Sequence, residues 1–245
     1  MVEVRYGQYC PVAMSSEILC TRWTMLLIRE LLSGVTRFND LRRGLPRISP
    51  ALLSQRLREL EASAIVKRVR IRNGGDLYGY ELTEAGRALG LVVRSFAEWG
   101  QTWIDEQAAL ENADVDHLIW EVQRGIDPQR LPRRPVVINF LFKDLPRGAK
   151  SRWWFVFEKD EPVDVCWQDP GRQIDLYVSS DLRTMTAIWL GLTSIREQCD
   201  AGALSLTGDR DLARTMPAWL GQCPVGGVPK RGGVYPHGAS RRASS

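Results

Sequence analysis

The sequence predicts an α+β fold, and three patterns along its 245 residues indicate this. Near the N-terminus, three stretches with leucine at helical spacing precede a β-hairpin signal. In the middle, a long helical stretch keeps large apolar residues on one side. The second half passes through several strand-like stretches before it returns to helices, an order typical of an α+β domain with a mainly antiparallel sheet of about five strands.

The first three predicted helices are short and amphipathic. They span Arg22–Ser33, Arg37–Leu45 and a third stretch that begins at Pro50 and runs to about Ser63. Ser49 is a favourable N-cap for the third helix, and proline at the first helical position loses no hydrogen bond. The buried stripe of this helix is predicted to consist of Leu53, Leu57 and Leu60.

A two-stranded hairpin and a long helix are predicted to follow. The strand-like stretches Ile65–Arg72 and Leu77–Leu82 flank the turn sequence Asn-Gly-Gly-Asp. From about Thr83, apolar residues recur at intervals of 4, 3, 4, 3 and 4, beginning at Ala85. So regular a seam favours packing on a second copy of the chain, with an ordinary core helix as the alternative. The predicted dimer interface comprises Leu89, Val92, Phe96, Trp99 and Trp103.

In the second half, strands alternate with proline- and glycine-containing turns. A helix is predicted at about Val115–Arg124. It precedes the strand candidates, which are Val136–Phe142, Trp153–Glu158, Val163–Gln168, Ile174–Ser179 and Leu204–Thr207. Residues 223–245 are rich in Gly, Pro, Ser and Arg, which predicts a disordered basic tail. The expected domains are therefore residues 1–107 and 113–222, followed by this tail.

The composition is that of a water-soluble globular protein, with 44% hydrophobic and 25% charged residues. The N-terminus lacks a signal-peptide pattern, and no apolar run could span a membrane, so a cytoplasmic location is expected. Five widely spaced cysteines and two histidines argue against a disulfide framework and a metal site. Without a recognisable catalytic triad, P-loop or dinucleotide fingerprint, we expect neither an enzyme nor a bound cofactor.

Positive charge is concentrated in one region of the chain. The net charge is +4, yet residues 37–72 alone hold ten Lys and Arg against three Asp and Glu. This asymmetry predicts a polyanionic partner for the N-terminal half. Three helices and a hairpin form the layout of a winged helix-turn-helix, in which the third helix reads the major groove.

The third helix carries suitable side chains opposite its leucines. Ala51, Ser54, Gln55 and Arg58 project to that side, and Arg56 lies on the flank. Arg can bond guanine, Gln adenine, and Ser either a base or a phosphate, although a polar helix face can equally be a solvated one. The full predicted set of DNA-binding residues is Arg37, Arg42, Arg43, Arg47, Ser49, Pro50, Ala51, Ser54, Gln55, Arg56, Arg58, Arg70, Arg72 and Asn73.

The motifs from about Cys10 to Trp99 resemble those of the HxlR-type winged helix-turn-helix transcriptional regulators. The Cys-Pro start, "RFNDLRR", "ISPALLSQRLRELE" and "YELTEAGRAL" occur in order. The resemblance implies a homodimeric bacterial transcription factor that binds double-stranded DNA at a palindromic operator, with terminal helices contributing to the dimer. Two features depart from the family pattern: Leu19-Cys20-Thr21 replaces a Gly-rich turn, and the wing tip "RNGGDLYGY" lacks proline.

A cysteine matching Cys10 senses oxidants or electrophiles in some members of that family, which makes Cys10 a candidate redox sensor; a plain structural cysteine is the alternative. Cys20, Cys166 and Cys199 sit in apolar patterns and are expected in the core. Six of nine tryptophans lie in the second half, where they either fill a core or line an apolar pocket. The candidate pocket residues are Trp153, Phe155, Trp167 and Trp189.

The stretch from about residue 113 to 222, with its closing strand, "GDRDLA" and helix, looks like a sterol-carrier-protein-type domain. The resemblance implies an apolar small-molecule effector or, equally, a dimerisation or scaffolding element. The sequence therefore favours a dimeric DNA-binding regulator, modulated by such an effector or by oxidation of Cys10. The alternative is a lipid or small-molecule carrier protein whose helical half mediates protein contacts.

Overall fold

The computed structural model describes residues 6–71, 78–158 and 161–234. The chain divides into two compact units, residues 1–97 and 98–245, which we call the first and second units. The division falls within a helix. Among the described residues, every helix is too short or too polar to cross a membrane, and no group of three or more His, Cys, Asp and Glu could hold a metal ion.

The first unit contains the predicted helices and hairpin, with one additional helix before them. Its core is built from leucine and isoleucine side chains of the second to fourth helices, among them Leu27, Leu41 and Leu57. The elements are α1 (Pro11–Leu19), α2 (Thr24–Leu32), α3 (Phe38–Gly44), α4 (Pro50–Ala62), β1 (Val66–Arg70), β2 (Tyr78–Leu82) and α5 (Glu84–Ala88), followed by the start of α6 (Gly90–Trp103).

The boundary between the third helix and the wing falls where the change of sequence pattern predicts it. Helix α4 ends at Ala62, and Ala64 takes up a left-handed backbone conformation with φ of 55°. The hydroxyl of Thr83 donates to the carbonyl of Ala64 at 2.7 Å. Strand β1 then pairs antiparallel with β2, with Val66 opposite Leu82. The run that begins as an amphipathic helix thus continues as the first strand of the wing.

The long helix predicted from Thr83 is interrupted. Helix α5 ends at Ala88, the N–H of its C-cap residue Leu89 donates to the carbonyl of Gly86, and α6 starts at Gly90. A Cβ on Gly86 would lie 2.2 Å from the carbonyl oxygen of Ile65. This close approach holds α5 against the base of the wing. A tertiary contact therefore lies close to the point where the heptad spacing predicts one continuous helix.

The second unit contains a five-stranded sheet, as the sequence predicts. The strand order is β5-β4-β3-β6-β7, in which β3 and β6 run parallel and all other neighbours antiparallel. The strands are β3 (Val136–Phe142), β4 (Arg152–Phe157), β5 (Asp164–Cys166), β6 (Leu176–Ser180) and β7 (Ser205–Gly208); the helices are α7 (Glu106–Glu111), α8 (Val115–Gly125), α9 (Leu182–Trp189), α10 (Ile195–Asp200) and α11 (Arg210–Trp219), with a short 3-10 helix at Pro128–Arg130.

The two faces of this sheet bury different clusters. Alternate residues such as Phe140 and Phe155 belong to the main core, together with buried side chains of α8, α9 and α11. The opposite face carries a smaller cluster of Val137, Trp154 and Val156. Successive strand residues point to opposite faces, so burial on both sides explains why β3 and β4 are apolar almost throughout, with Asn139 as the polar exception in β3.

The "GDRDLA" motif has a clear structural basis. Gly208 ends β7 with φ of 131°, and a Cβ there would lie 2.2 Å from the carbonyl oxygen of Asp175. Asp209 caps α11 by accepting hydrogen bonds from the N–H groups of Asp211 and Leu212. The guanidinium of Arg134 bridges Asp175 at 2.6 Å and Asp209 at 3.0 Å. The motif therefore fixes the turn from the last strand into the last helix.

Residues 223–234 differ from the disordered tail that their composition predicts. They form backbone hydrogen bonds within the second unit, among them Cys223 N–H to the carbonyl of Trp189 at 2.8 Å. Gly226 is buried beside Gly191, and a side chain on Gly191 would collide with it. The glycines allow close backbone approach here. The remaining predicted tail, from residue 235 onward, lies outside the described residues.

Candidate nucleic-acid interface

Helix α4, the candidate reader helix, is positioned by its N-cap and its buried leucines. Ser49 Oγ accepts a hydrogen bond from the N–H of Leu52 at 3.3 Å and so caps the helix. Leu53, Leu57 and Leu60 are buried, as predicted. On the other side, Pro50, Ala51 and Arg58 are exposed, while Ser54 and Gln55 are partly exposed. The helix thus exposes the small residue Ala51 near its start and the cation Arg58 about two turns further on.

Two polar side chains of α4 are engaged by the same carboxylate. Gln55 Nε2 donates to Glu59 Oε1 at 2.9 Å, and Arg56 bonds the other oxygen of Glu59. Arg56 Nε also donates to the carbonyl of Arg22 at 3.1 Å. Arg56 therefore ties α4 to the entry of α2, a role that its flanking position did not reveal. Glu59 would have to release Gln55 before that amide could reach a base.

Four arginines on and beside α3 form a set of exposed cations, which we call the rim. Arg37, Arg42, Arg43 and Arg47 are all exposed, and Arg43 lies 3.8 Å from Asp40, a weak surface pair. A groove of about 390 Å³ opens between the start of α3 and the wing; it is lined by Arg37, Phe38, Asn39, Asp40, Arg43, Ile71 and Tyr78. The groove thus has a mixed lining, with two arginines and one carboxylate among apolar and neutral side chains.

The described part of the wing is also basic. Arg70 is exposed at the end of β1, and the guanidinium of Arg68 stacks over the Tyr78 ring at 4.1 Å. Lys67 pairs across the hairpin with Glu81 at 3.2 Å. The predicted wing-tip contacts Arg72 and Asn73 lie outside the described residues.

An apolar surface extends along α6, as the heptad pattern predicts. Phe96 is 66% exposed and Trp99 is 50% exposed, and Val92 and Trp103 are exposed as well, while Leu89 is partly buried. Leu91 adds to this surface, although the heptad spacing omits it.

Helix α1, whose start Pro11 indicates in the sequence, carries a second set of exposed apolar side chains. They are Val12, Met14 and Ile18, preceded by Tyr6 and Tyr9. Large apolar residues concentrated on surface helices are typical of protein–protein interfaces. The stretch "PVAMSSEIL" has this proline at its first helical position, directly after the N-cap residue Cys10.

The cysteines occupy distinct environments. Cys10 precedes α1 and forms no capping hydrogen bond, yet interaction with the backbone N–H groups of Ala13 and Val12 lowers the pKa of its thiol. Burial raises the thiol pKa of Cys166 and Cys199, which pack against the clusters on either side of the sheet. Cys20 is exposed, so its expected core position was wrong; it follows the last turn of α1, outside the packed leucines.

The aromatic residues of the candidate pocket do not form one group. Trp153, Phe155 and Trp189 are buried in the main core of the second unit, whereas Trp167 is 53% exposed and lies outside that cluster. Trp153 Nε1 donates to the carbonyl of Lys150 at 2.9 Å. Three of the four side chains therefore contribute to the packing of the domain.

These features define the class of protein: a winged helix-turn-helix with a capped third core helix, a basic rim and a basic hairpin. Residues 18–108 match the HxlR-like helix-turn-helix family. The chain is 36% identical over 100 residues to the uncharacterized HTH-type transcriptional regulator YvaP of Bacillus subtilis, a match that covers 40% of this chain and 93% of the relative. It is 34% identical over 104 residues to the uncharacterized HTH-type transcriptional regulator YdeP of the same organism, and that match covers 42% of this chain and 81% of YdeP.

Solved structures match a similar share of the chain. The redox regulator HypR in its reduced form is 36% identical, with a TM-score of 0.36, and the match covers 38% of this chain and 91% of that one. The reduced form of the transcriptional regulator YodB from B. subtilis is 35% identical, with a TM-score of 0.35, and the match covers 38% of this chain and 93% of that one.

The chain belongs to the HxlR-like helix-turn-helix family. It is a transcriptional regulator of the winged-helix type, and its partner is DNA. Its relatives are HTH-type transcriptional regulators, which are not enzymes.

Proposed function

We propose that the protein is a homodimeric regulator that reads a palindromic operator with two copies of α4 and two wings. The observation that carries the proposal is the reader surface: exposed Ala51 and Arg58 on a capped helix, with the arginines of α3 beside it. In such dimers the half-sites lie about one helical turn apart, at roughly 34–36 Å. The arginines of α3 and the wing contact phosphates, and α4 contacts bases.

Arg58 is the side chain of α4 best placed to read a base. It is exposed, unlike Arg56, which is held by Glu59 and the carbonyl of Arg22. A bidentate contact to guanine should be lost in Arg58→Ala, which we expect to weaken operator binding by about 1–3 kcal/mol and relax specificity at one base pair. Fluorescence anisotropy with operator duplexes substituted at single positions measures both effects.

Arg196→Ala is the matched control, since Arg196 is a highly exposed arginine of the second unit that pairs only at 3.9 Å with Asp200. It should leave operator affinity unchanged. If Arg58→Ala weakened binding to all duplexes equally, Arg58 would be a phosphate contact and the assignment of base reading to it would be wrong.

Dimerisation in this proposal uses the apolar face of α6, joined by the exposed residues of α1. Phe96, Trp99 and Trp103 supply large aromatic surface, and aromatic side chains dominate interface energetics. A palindromic operator requires two reader helices in a fixed relation, which a dimer provides.

Two forms of regulation belong to the proposal. An apolar effector of the second unit is supported by the five-stranded sheet and by the strand, Gly-Asp cap and helix of β7 and α11, the features that resemble a sterol-carrier-type domain. An effector regulates only by binding one dimer geometry more tightly than the other.

Oxidation of Cys10 is the second form of regulation, and it is supported by the lowered pKa of its thiol. Since the thiolate is the reactive form, Cys10 should alkylate with a pH midpoint below about 8.5, the usual value for a cysteine thiol. Mass spectrometry of iodoacetamide-labelled peptides across a pH series measures this. A midpoint at or above the usual value would remove the chemical basis for a sensor.

A further inference from the structure

The last turn of α6 is held within the second unit through a buried amide. Gln101 is 7% exposed, and its Nε2 donates to the carbonyl oxygen of Leu190 at 3.0 Å. Leu190 is the C-cap of α9. A buried side-chain amide that lost its partner would be costly, so this hydrogen bond fixes the end of α6 against the end of α9.

The C-terminal segment, residues 223–234, supplies donors to the same end of α6. The N–H groups of Arg231 and Gly232 both donate to the carbonyl of Thr102, at 2.7 and 3.0 Å. Val234 N–H donates to the carbonyl of Trp103 at 2.9 Å, and Lys230 Nζ to that of Ile104 at 2.8 Å. The last carbonyls of a helix have no partners within it, and here the segment provides them.

The same segment is also attached to the end of α9. Cys223 N–H donates to the carbonyl of Trp189 at 2.8 Å. Three residues on, the backbone of Gly226 lies so close to Gly191 that a Cβ on Gly191 would be 2.3 Å from the Gly226 oxygen. The end of α6, the end of α9 and the C-terminal segment thus form one hydrogen-bonded assembly, which we call the junction.

Helix α9 links the junction to the core of the second unit. Met185, Ile188 and Trp189 are buried in the main cluster, and the Trp189 ring lies where a Cβ on Gly125 of α8 would be. A change in core packing that displaced Trp189 would move the carbonyls that Cys223 and Gln101 contact. Packed interiors transmit such displacements because they contain little free space.

We propose that the junction positions α6 for self-association, and that it is the route by which the second unit controls the regulator. Helix α6 continues from the junction into the apolar face that carries Trp99 and Phe96. Gln101 and Lys230 are the positioning residues, since they hold the helix end without contributing to that face. The inference rests on the proposed dimer.

The test uses Gln101→Leu in the full chain, with Gln129→Leu as control because Gln129 is exposed and uses only its backbone N–H. Lys230→Met is a second variant that removes a junction contact without altering a buried core position. Hydrogen exchange of the Arg231, Gly232 and Val234 amides reports on the junction, and sedimentation equilibrium gives the dimer dissociation constant.

Both junction variants should speed exchange at these amides by roughly fivefold, the loss of about one net hydrogen bond. Both should also change the dimer dissociation constant by roughly fivefold or more, while Gln129→Leu changes neither. Faster exchange with an unchanged dissociation constant would overturn the coupling, as would unchanged exchange in both variants. A monomeric wild-type protein would overturn the proposed dimer and this coupling together, whereas a dimer insensitive to both variants overturns the coupling alone.

Discussion

Replacing Gly125 with alanine is expected to destabilise the second unit by about 3 kcal/mol, because the added methyl group overpacks a full core. The new Cβ would lie 2.3 Å from one ring carbon of Trp189 and 2.7 Å from another. Trp189 is 5% exposed and packed within the main cluster, so its ring has little room to retreat. The backbone at Gly125 also has no room to shift toward Gly221, because a Cβ on Gly221 would lie 2.2 Å from the Gly125 carbonyl oxygen. Urea denaturation followed by tryptophan fluorescence measures the loss.

Gly100→Ala is the matched control, because Gly100 also lies in a helix of the second unit. Its Cβ would meet only the tip of Ile104 at 3.6 Å, an ordinary contact. Alanine is the better helix former by about 1 kcal/mol, so this variant should be neutral or more stable. Equal destabilisation by both substitutions would show that helix geometry, rather than the Trp189 ring, makes glycine necessary at residue 125.

Replacing Phe96 with glutamate should prevent self-association. Phe96 lies in the middle of the apolar face of α6 and is 66% exposed, so the folded chain tolerates a charge there. In a dimer, the carboxylate would be buried without a partner, which costs several kcal/mol. Sedimentation velocity should then show a monomer with an unchanged circular dichroism spectrum.

Trp167→Glu provides the control, since Trp167 is a similarly exposed aromatic residue in the second unit. This variant should remain dimeric. A dimer that survived Phe96→Glu would place the interface elsewhere on the molecule, and α1 would then be the first surface to examine.

The local sequence pattern predicted helix α4 and the strands of the wing well because their signals are local. Ser49 and Pro50 mark the start of α4, the leucine spacing marks its buried side, and Ala64 marks its separation from β1. The sheet of the second unit was predicted equally well, since β3 and β4 are long apolar runs with turn residues between them.

The failures of sequence prediction arose where distant residues meet. Close to the break between α5 and α6, Gly86 approaches the carbonyl of Ile65, and the helical pattern alone contains no trace of that contact. The C-terminal segment is ordered by carbonyl groups of α6 and α9, more than thirty residues away in the nearer case. Its glycines resemble a flexible tail in sequence but permit tight packing in the fold.

In the candidate site, too, local features could be predicted from the sequence and long-range contacts could not. That α4 would be basic and polar on one side followed from the sequence, but the engagement of Arg56 by Arg22 and Glu59 could not, since Arg22 lies 34 residues earlier. Only the structure distinguishes the two arginines of α4: Arg56 ties the helix to the carbonyl of Arg22, whereas Arg58 is exposed.

The central claim is that α4 and the arginines around it bind a specific operator, and the most direct measurement is DNA affinity as a function of salt. Wild-type protein would be titrated onto a duplex from its own upstream region and onto a scrambled duplex, between about 50 and 200 mM salt. We expect tighter binding to the upstream duplex and an affinity that falls steeply with salt, as several phosphate contacts require. Equal, salt-insensitive binding to both duplexes, or no binding at all, would contradict the account.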